Sequence, residues 1–214
     1  MGKNIRDIRE MIDKVKNFKP FINENVGSII KSGVDFVYDK YPELSNIGTP
    51  EQYTQYLDSI FPSSVDKNIW YHGTNVNPNQ IKMLRASKSG TYGYGIYLQS
   101  KQGKYYTGTF GENTIAVVVD VDKPFNFDKY GKQVIDGLKE KYKNMGGLGD
   151  NTMIALQNYI RTEGYDSIIA TIGGDDKYLL LIGSVKKMFE PNHHILGTEQ
   201  DVKMFSEFVK NKYI

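Results

Sequence analysis

The chain contains no cysteine. Disulfides, thiolate metal sites and thiol nucleophiles are therefore excluded, and the lack fits a reducing compartment. Only three histidines occur. Two of them, His193 and His194, are adjacent, and neighbouring histidines rarely chelate one ion, so no metal is expected and the pair reads as solvated tail residues. No block of five or six residues of one charge sign appears, and 27 basic residues stand against 25 acidic ones. That balance does not indicate an electrostatic nucleic-acid binder. Long apolar runs are missing as well. The longest, 178–182 and 115–119, fall far short of the ~20 residues that span a bilayer, so no membrane partner is expected. The opening MGKNIRDIREMIDKV has no apolar stretch of the signal-peptide kind. Arg6 stands where a myristoylation signal needs Ser or Thr, so Gly2 is expected to be unmodified.

What is present is an ordinary globular composition, with 39% apolar and 24% charged residues in 214. A chain of this length can bury one real core without staples. Tyrosine is frequent, at 16 residues. Its flat apolar face and polar tip suit pockets that stack aromatic ligands, and equally suit ordinary strands.

Apolar residues recur at helical spacing over 3–18 (Ile5, Ile8, Ile12, Val15) and over 26–41 (Val26, Ile30, Val34, Val37, Tyr41). Thr49-Pro50-Glu51-Gln52 reads as a helix start, with Thr49 capping, Pro50 in the first turn and Gln52 completing a capping box. The helix it opens, 50–60, carries Tyr53, Tyr56, Leu57 and Ile60 on one face. From Ile69 the character changes. A short strand over 69–72 is expected to end at Gly73, followed by a short helix within 79–86, the loop 90–95 and a strand over 96–98. A β-branched strand over 114–121 should be stopped by Lys123-Pro124. Helices are expected over 129–143 and 152–163, the second capped by Asp150 or Asn151. Strands over 167–171 and 178–182 flank the turn Gly173-Gly174-Asp175-Asp176. One more strand is expected over 188–190, and a last helix over 199–211 with Val202, Phe205 and Val209 inward. Helices first and short strands later argue an α+β fold with antiparallel pairing near the end. The expected division is an N-terminal helical region (1–66), a core (67–192) and a C-terminal tail with its helix (193–214).

Three constellations can carry chemistry. In Trp70-Tyr71-His72-Gly73-Thr74 a histidine at a strand end, followed by glycine, can present its ring and an unhindered backbone to a ligand. A partly buried histidine closing a strand is the plainer alternative. In Gly93-Tyr94-Gly95-Ile96-Tyr97-Leu98 the glycines allow a tight backbone that displays Tyr97, and Tyr105 follows. Two such tyrosines can sandwich a flat ring, or can simply be core aromatics. The loop 90–95 lacks the Gly-Lys-Ser/Thr ending of a phosphate loop, which excludes that reading.

Taken in order, His72-Gly73, Gly95-Ile96-Tyr97, Ser100-Lys101 with Tyr105, and DDKYLLL resemble the ADP-ribosyltransferases of the H-Y-E type, which include the poly(ADP-ribose) polymerases and diphtheria-like toxins. GIYLQSKQGKY (95–105) is similar to the family's GIYF…SKSANY segment, shortened, and GYDSIIA (164–170) to its GYDGII strand. The likeness reaches from residue 47 to 209, where it is similar to domains embedded in phage and mobile-element polyvalent proteins; residues 1–46 lie outside it. It implies an ADP-ribosyltransferase-like split antiparallel β core preceded by the helical region.

The resemblance also implies NAD⁺ as substrate, with no metal, and a cytoplasmic location in a host cell or carriage in a virion. His72 would bond the adenosine ribose, Gly73 would offer its backbone to the nicotinamide carboxamide with Thr74 beside it, and Tyr97 and Tyr105 would flank the nicotinamide ring. The family's serine contact to the carboxamide falls on Gln102. The family's glutamate, which binds the reacting ribose, is replaced. One register places Lys177 there and another Val185. Asp176 or Asp175 in the glycine-rich turn could supply the carboxylate, so His72, Tyr97 and Asp176 form the candidate catalytic set. The expected activity is mono-ADP-ribosyl transfer to a macromolecule, a protein first and nucleic acid second. An NAD⁺ glycohydrolase is one alternative. The other is a non-catalytic NAD⁺ or ADP-ribose binder or virion-associated structural module.

Overall fold

The computed structural model describes residues 26–88, 90–100, 111–173, 176–183 and 192–214. The expected helix over 3–18 and strand over 188–190 lie outside them. The fold is α+β, with one mixed seven-stranded sheet and five α-helices among the described residues. In chain order these are α1 (Val26–Lys40), α2 (Pro50–Ile60), β1 (Trp70–Thr74), β2 (Ile96–Gln99), β3 (Asn113–Val119), β4 (Pro124–Asn126), α3 (Phe127–Tyr142), α4 (Thr152–Thr162), β5 (Ser167–Gly173), β6 (Asp176–Leu181), β7 (His193–Ile195) and α5 (Glu199–Tyr213). The spatial order of the strands is β4-β5-β6-β2-β1-β3-β7.

Period-two alternation assigns each strand residue to a face. Tyr71, Ala116 and Val118 turn to one face, where α1, α2 and α5 cover them through Val34, Val37, Tyr53, Tyr56, Leu57, Phe205 and Val209. On the same face, α3 and α4 cover the other half of the sheet through Leu138, Leu156 and Ile160 against Ile168 and Leu180. The opposite face holds Trp70, Ile115, Val117, Leu98, Leu179 and Leu181 and is closed by chain segments that bring Val65, Ile81 and Leu84 inward. Helices from the two ends of the chain thus share one core.

Local signals are met where they are strong. The capping box at α2 is complete, with Thr49 Oγ1 accepting from Gln52 N and Thr49 N donating to Gln52 Oε1 at 2.8 Å. β5 and β6 form the antiparallel pair expected near the end of the chain.

Several expectations need correction. β1 runs on to Thr74, because Gly73 stays in the ladder opposite Thr114. The β-branched strand stops at Val119, since beyond it the Val121 carbonyl accepts from Val65 N instead. The helix expected within 79–86 is a single 3-10 turn, Pro78–Gln80. Beyond it, Ile81 and Leu84 turn into the sheet and Leu84 N donates to His193 Nε2 at 2.9 Å. Asn151 makes no side-chain cap on α4; a 3-10 turn over Gly149–Asn151 leads into the helix instead. Pro124 stops one strand and begins another, since β4 pairs parallel with β5 at the sheet edge, where proline's missing donor is tolerated. The parallel pairing needs a long crossover, which α3 and α4 supply. His193 and His194 are not a solvated tail. They form β7 against β3, and His193 is 7% exposed.

Candidate functional site

β1 and β2 sit at the middle of the sheet and meet in register at Tyr71↔Gln99. Beyond that point His72, Gly73 and Thr74 continue in register with β3, while Tyr97 and Ile96 continue with β6. The strands part, and a cleft of about 370 Å³ opens there, lined by His72, Gly73, Arg85, Ser87, Gly90, Thr91, Gly95, Tyr97, Gln99 and Tyr178. Its size falls within the ~300–1,000 Å³ usual for small-molecule sites.

The His72 ring spans the gap, with Nδ1 2.9 Å from the Tyr97 carbonyl oxygen. A carbonyl only accepts, so Nδ1 carries the proton, and in the neutral ring Nε2 keeps a lone pair for an incoming hydroxyl. The hydrogen-bonding edge of Gly73 follows from ladder parity. Leu196 N donates to Ala116 O, so the Ala116 edge turns toward β7. Alternation turns the Thr114 edge the same way, and Lys40 Nζ reaches the Thr114 carbonyl from that side. Gly73 pairs with Thr114, so the N–H and C=O of Gly73 point the other way, into the gap toward β2.

Tyr97 is half-buried, and its hydroxyl is committed. It donates to Gly93 O at 2.8 Å and accepts from Tyr92 N at 3.0 Å. Burial lifts its pKa, only partly opposed by the Tyr92 N–H. The ring, not the hydroxyl, is what Tyr97 can offer a ligand. Gly90 packs on that ring so closely that a Cβ there would lie 2.3 Å from the hydroxyl oxygen. The loop is held from below by Gln157 of α4, which is 1% exposed. Gln157 Nε2 donates to the carbonyls of Tyr92 (2.9 Å) and Tyr94 (2.8 Å), and its Oε1 accepts from Tyr94 N at 3.2 Å.

His72, Gly73 and Tyr97 are therefore brought together. Thr74 is not among the residues that line the cleft; its Oγ1 accepts from Val76 N in the turn after β1. Asp176 begins β6, one same-face position before the cleft-lining Tyr178, and does not itself line the cleft. Lys177 points to the opposite face, with Leu179 and Leu181, where its charge favours the ionised form of buried Asp66. Tyr105, Asp175, Gln102 and Val185 lie outside the described residues.

Tyr178, Arg85, Ser87 and Gln99 were not singled out in the sequence. Tyr178 stands opposite Gln99 on the Tyr97 face, with the two tyrosine rings 6.5 Å apart and perpendicular. Alternation along DKYLLL would have placed it there, given the β2–β6 pairing. Arg85 follows Leu84, whose N–H is fastened to His193, and only the tertiary fold brings it to the cleft.

Among the described residues there is no cluster of side chains able to hold a metal ion, and no helix is long and apolar enough to cross a membrane. Comparison with family models, with curated proteins and with solved structures finds no match.

Proposed function

We propose that the chain is an ADP-ribosyltransferase-type domain that takes NAD⁺ as substrate and transfers ADP-ribose to a macromolecule. The observation that carries the reading is convergence. His72-Gly73 and Gly95-Ile96-Tyr97, separate in the chain, meet in one cleft where the central strands part. The chemistry offered there suits the parts of the dinucleotide. The Nε2 lone pair of His72 can accept from a ribose hydroxyl. The N–H and C=O of Gly73 form a donor–acceptor pair that complements a carboxamide. The rings of Tyr97 and Tyr178 give two flat apolar surfaces, and the Arg85 guanidinium suits a pyrophosphate.

In the transfer, the bond from ribose C1′ to the nicotinamide nitrogen breaks and its electron pair neutralises the pyridinium. A nucleophilic nitrogen or oxygen of the acceptor forms the new bond to C1′ and releases its proton to solvent. The residues of this chain hold the two ends of the dinucleotide and exclude other poses. Asp176 is the carboxylate closest along β6 to the cleft, and Lys177 faces away from it. With Lys177 on the far face, its ammonium does not oppose the positive charge that grows at C1′.

A second reading is favoured by the cleft lining itself, which among the described residues contains no carboxylate. An NAD⁺ or ADP-ribose binder without turnover needs none. One experiment separates the two. Saturating NAD⁺ should raise the melting temperature by linkage, and His72→Ala and Tyr97→Ala should abolish the rise while moving the apo melt by only a few degrees. Nicotinamide release with labelled macromolecule marks transfer, release without label marks hydrolysis, and binding without release marks the binder. An unmoved wild-type melt at saturating NAD⁺ would defeat transfer, hydrolysis and NAD⁺ binding alike.

A further inference from the structure

We infer that the loop preceding β2 is a docking surface for single-stranded nucleic acid, which makes nucleic acid rather than protein the acceptor presented to the cleft. The inference rests on the NAD⁺ reading only for what the docked strand receives; the surface stands by itself.

The near-neutral total hides a strong segregation of charge. Residues 67–111 contain no Asp or Glu, yet hold Lys67, Lys82, Arg85, Lys88, Lys101 and Lys104. The chain outside this stretch holds all 25 acidic residues and is net negative. The acid-free stretch supplies every residue that lines the cleft except Tyr178. NAD⁺ does not account for all of its cations. Of the described ones, only Arg85 lines the cleft, while Lys82 and Lys88 are exposed in the loop that carries Arg85, and the Ser87–Gly95 bridge sets Lys88 across from Tyr94.

Tyr94 gives the second observation. It is a large aromatic left 46% exposed. Its backbone is fastened at both ends to buried Gln157, its N–H to Oε1 and its C=O to Nε2. The ring therefore projects from a braced loop. Cations that track a backbone, beside a fixed and solvent-facing aromatic ring, are the two parts of a single-strand site. Phosphates are neutralised by the lysines and a base stacks on the ring, independent of sequence. The charge of an acidic protein would use the lysines but gives no reason for a fixed, exposed ring at Tyr94, whereas every base of a single strand has a π-face to stack on it. The carboxylate of Asp176 stands at the opposite end of β6 from Leu181, which pairs with the start of β2. It lies away from the loop and does not repel a strand docked there.

The test is fluorescence anisotropy of labelled dT12 and rU12 with the whole chain at 50 and 200 mM NaCl. Binding is expected at low salt and should weaken steeply with salt. Lys82→Glu/Lys88→Glu should lower affinity at least about tenfold at low salt and flatten the salt slope by about 1.4, the value for two single-strand phosphate contacts. Tyr94→Ala should weaken binding about five- to hundredfold, with Tyr94→Phe restoring it. These variants should keep the wild-type rise in melting temperature with NAD⁺. If that rise is missing while the oligonucleotide results hold, the NAD⁺ reading falls and the surface stands. No binding at 50 mM salt, or an unchanged affinity in the double lysine variant, would overturn the surface. With labelled NAD⁺, oligonucleotide and cell protein together, label on protein alone would assign the acceptor to protein and overturn the inference.

Discussion

Asp201 accepts from more donors than any other described carboxylate, and its removal should be among the costliest single changes. The residue lies on α5 with no solvent exposure. Its Oδ2 accepts from Tyr53 Oη at 2.5 Å and Gly197 N at 2.8 Å. Its Oδ1 accepts from Tyr56 Oη at 2.9 Å and His194 Nε2 at 2.7 Å. One carboxylate thereby ties α5 to α2, to β7 and to the turn between them. Burial first, and the Asp201 charge second, hold the Tyr53 and Tyr56 hydroxyls well above the usual tyrosine range. Both remain donors at any ordinary pH.

Asp201→Ala would strand four donors, but not equally. Tyr56 Oη already lies 3.3 Å from His194 Nε2, so those two can pair with each other. Tyr53 Oη and Gly197 N have no such substitute among the described contacts. Hydrogen bonds to a charged group are worth ~1.5–3 kcal/mol each and are not additive. With two of four lost outright, the expected destabilisation is ~3–4 kcal/mol, in the range for breaking a buried charged cluster from one side. For a chain of this size that corresponds to a melting temperature lower by ~6–16 °C. Urea unfolding followed by far-UV circular dichroism measures it, with Tyr53→Phe as a milder control near ~1–2 kcal/mol. A loss below ~1 kcal/mol in Asp201→Ala at unchanged m-value would refute the reasoning. It would mean that the cost of burying the carboxylate cancels what its donors return.

His193 predicts a pH dependence. Burial, then the neighbouring charges of His72 and His194, push its pKa down to about 4 from the ordinary 6.5. The folded state therefore binds fewer protons than the unfolded state between those values, and stability rises with pH across that window. The contribution is full above about pH 6.5 and is lost as pH falls toward 4, by up to ~3 kcal/mol. His193→Gln, which can still accept from Leu84 N, should flatten that part of the wild-type stability profile. Gln157→Leu removes three hydrogen bonds under the loop of residues 90–95; amide exchange at Tyr94 should accelerate and the NAD⁺-induced melting shift should shrink, and an unchanged shift would show that the loop orders itself without Gln157. Asp176→Asn should lower nicotinamide release by ~10²–10³ with NAD⁺ affinity little changed, since the charge it opposes exists only near the transition state. Lys177→Glu should leave turnover within about twofold and lower stability by placing a carboxylate near buried Asp66, a carboxyl that burial already lifts; raised turnover would put residue 177 in the cleft instead.

The signals legible in the sequence were those completed within a few residues. Thr49 and Gln52 close their capping box across three positions, and the alternation of Ile168, Leu180 and their neighbours sets which way each side chain points. His72-Gly73 and Gly95-Ile96-Tyr97 were recognisable as short motifs because each keeps its parts adjacent. What the sequence did not disclose depends on partners far along the chain. Gln157 reaches a loop more than sixty residues earlier, and Asp201 gathers two tyrosines from α2. A single glutamine or aspartate in a helix carries no mark of such a partner. The His193-His194 pair has the look of a tail because polar residues in a short segment have no period to betray a strand; pairing with β3 makes it a strand. Charge behaved the same way. The balance of the whole composition is a sum that forgets position, and it needed the fold to show that the acid-free stretch walls the cleft. Local backbone and side-chain preferences act over one or two turns and are written in order. The cleft exists because β1 is held by β3 while β2 is held by β6, and that competition between long-range pairings is set only when the strands are side by side.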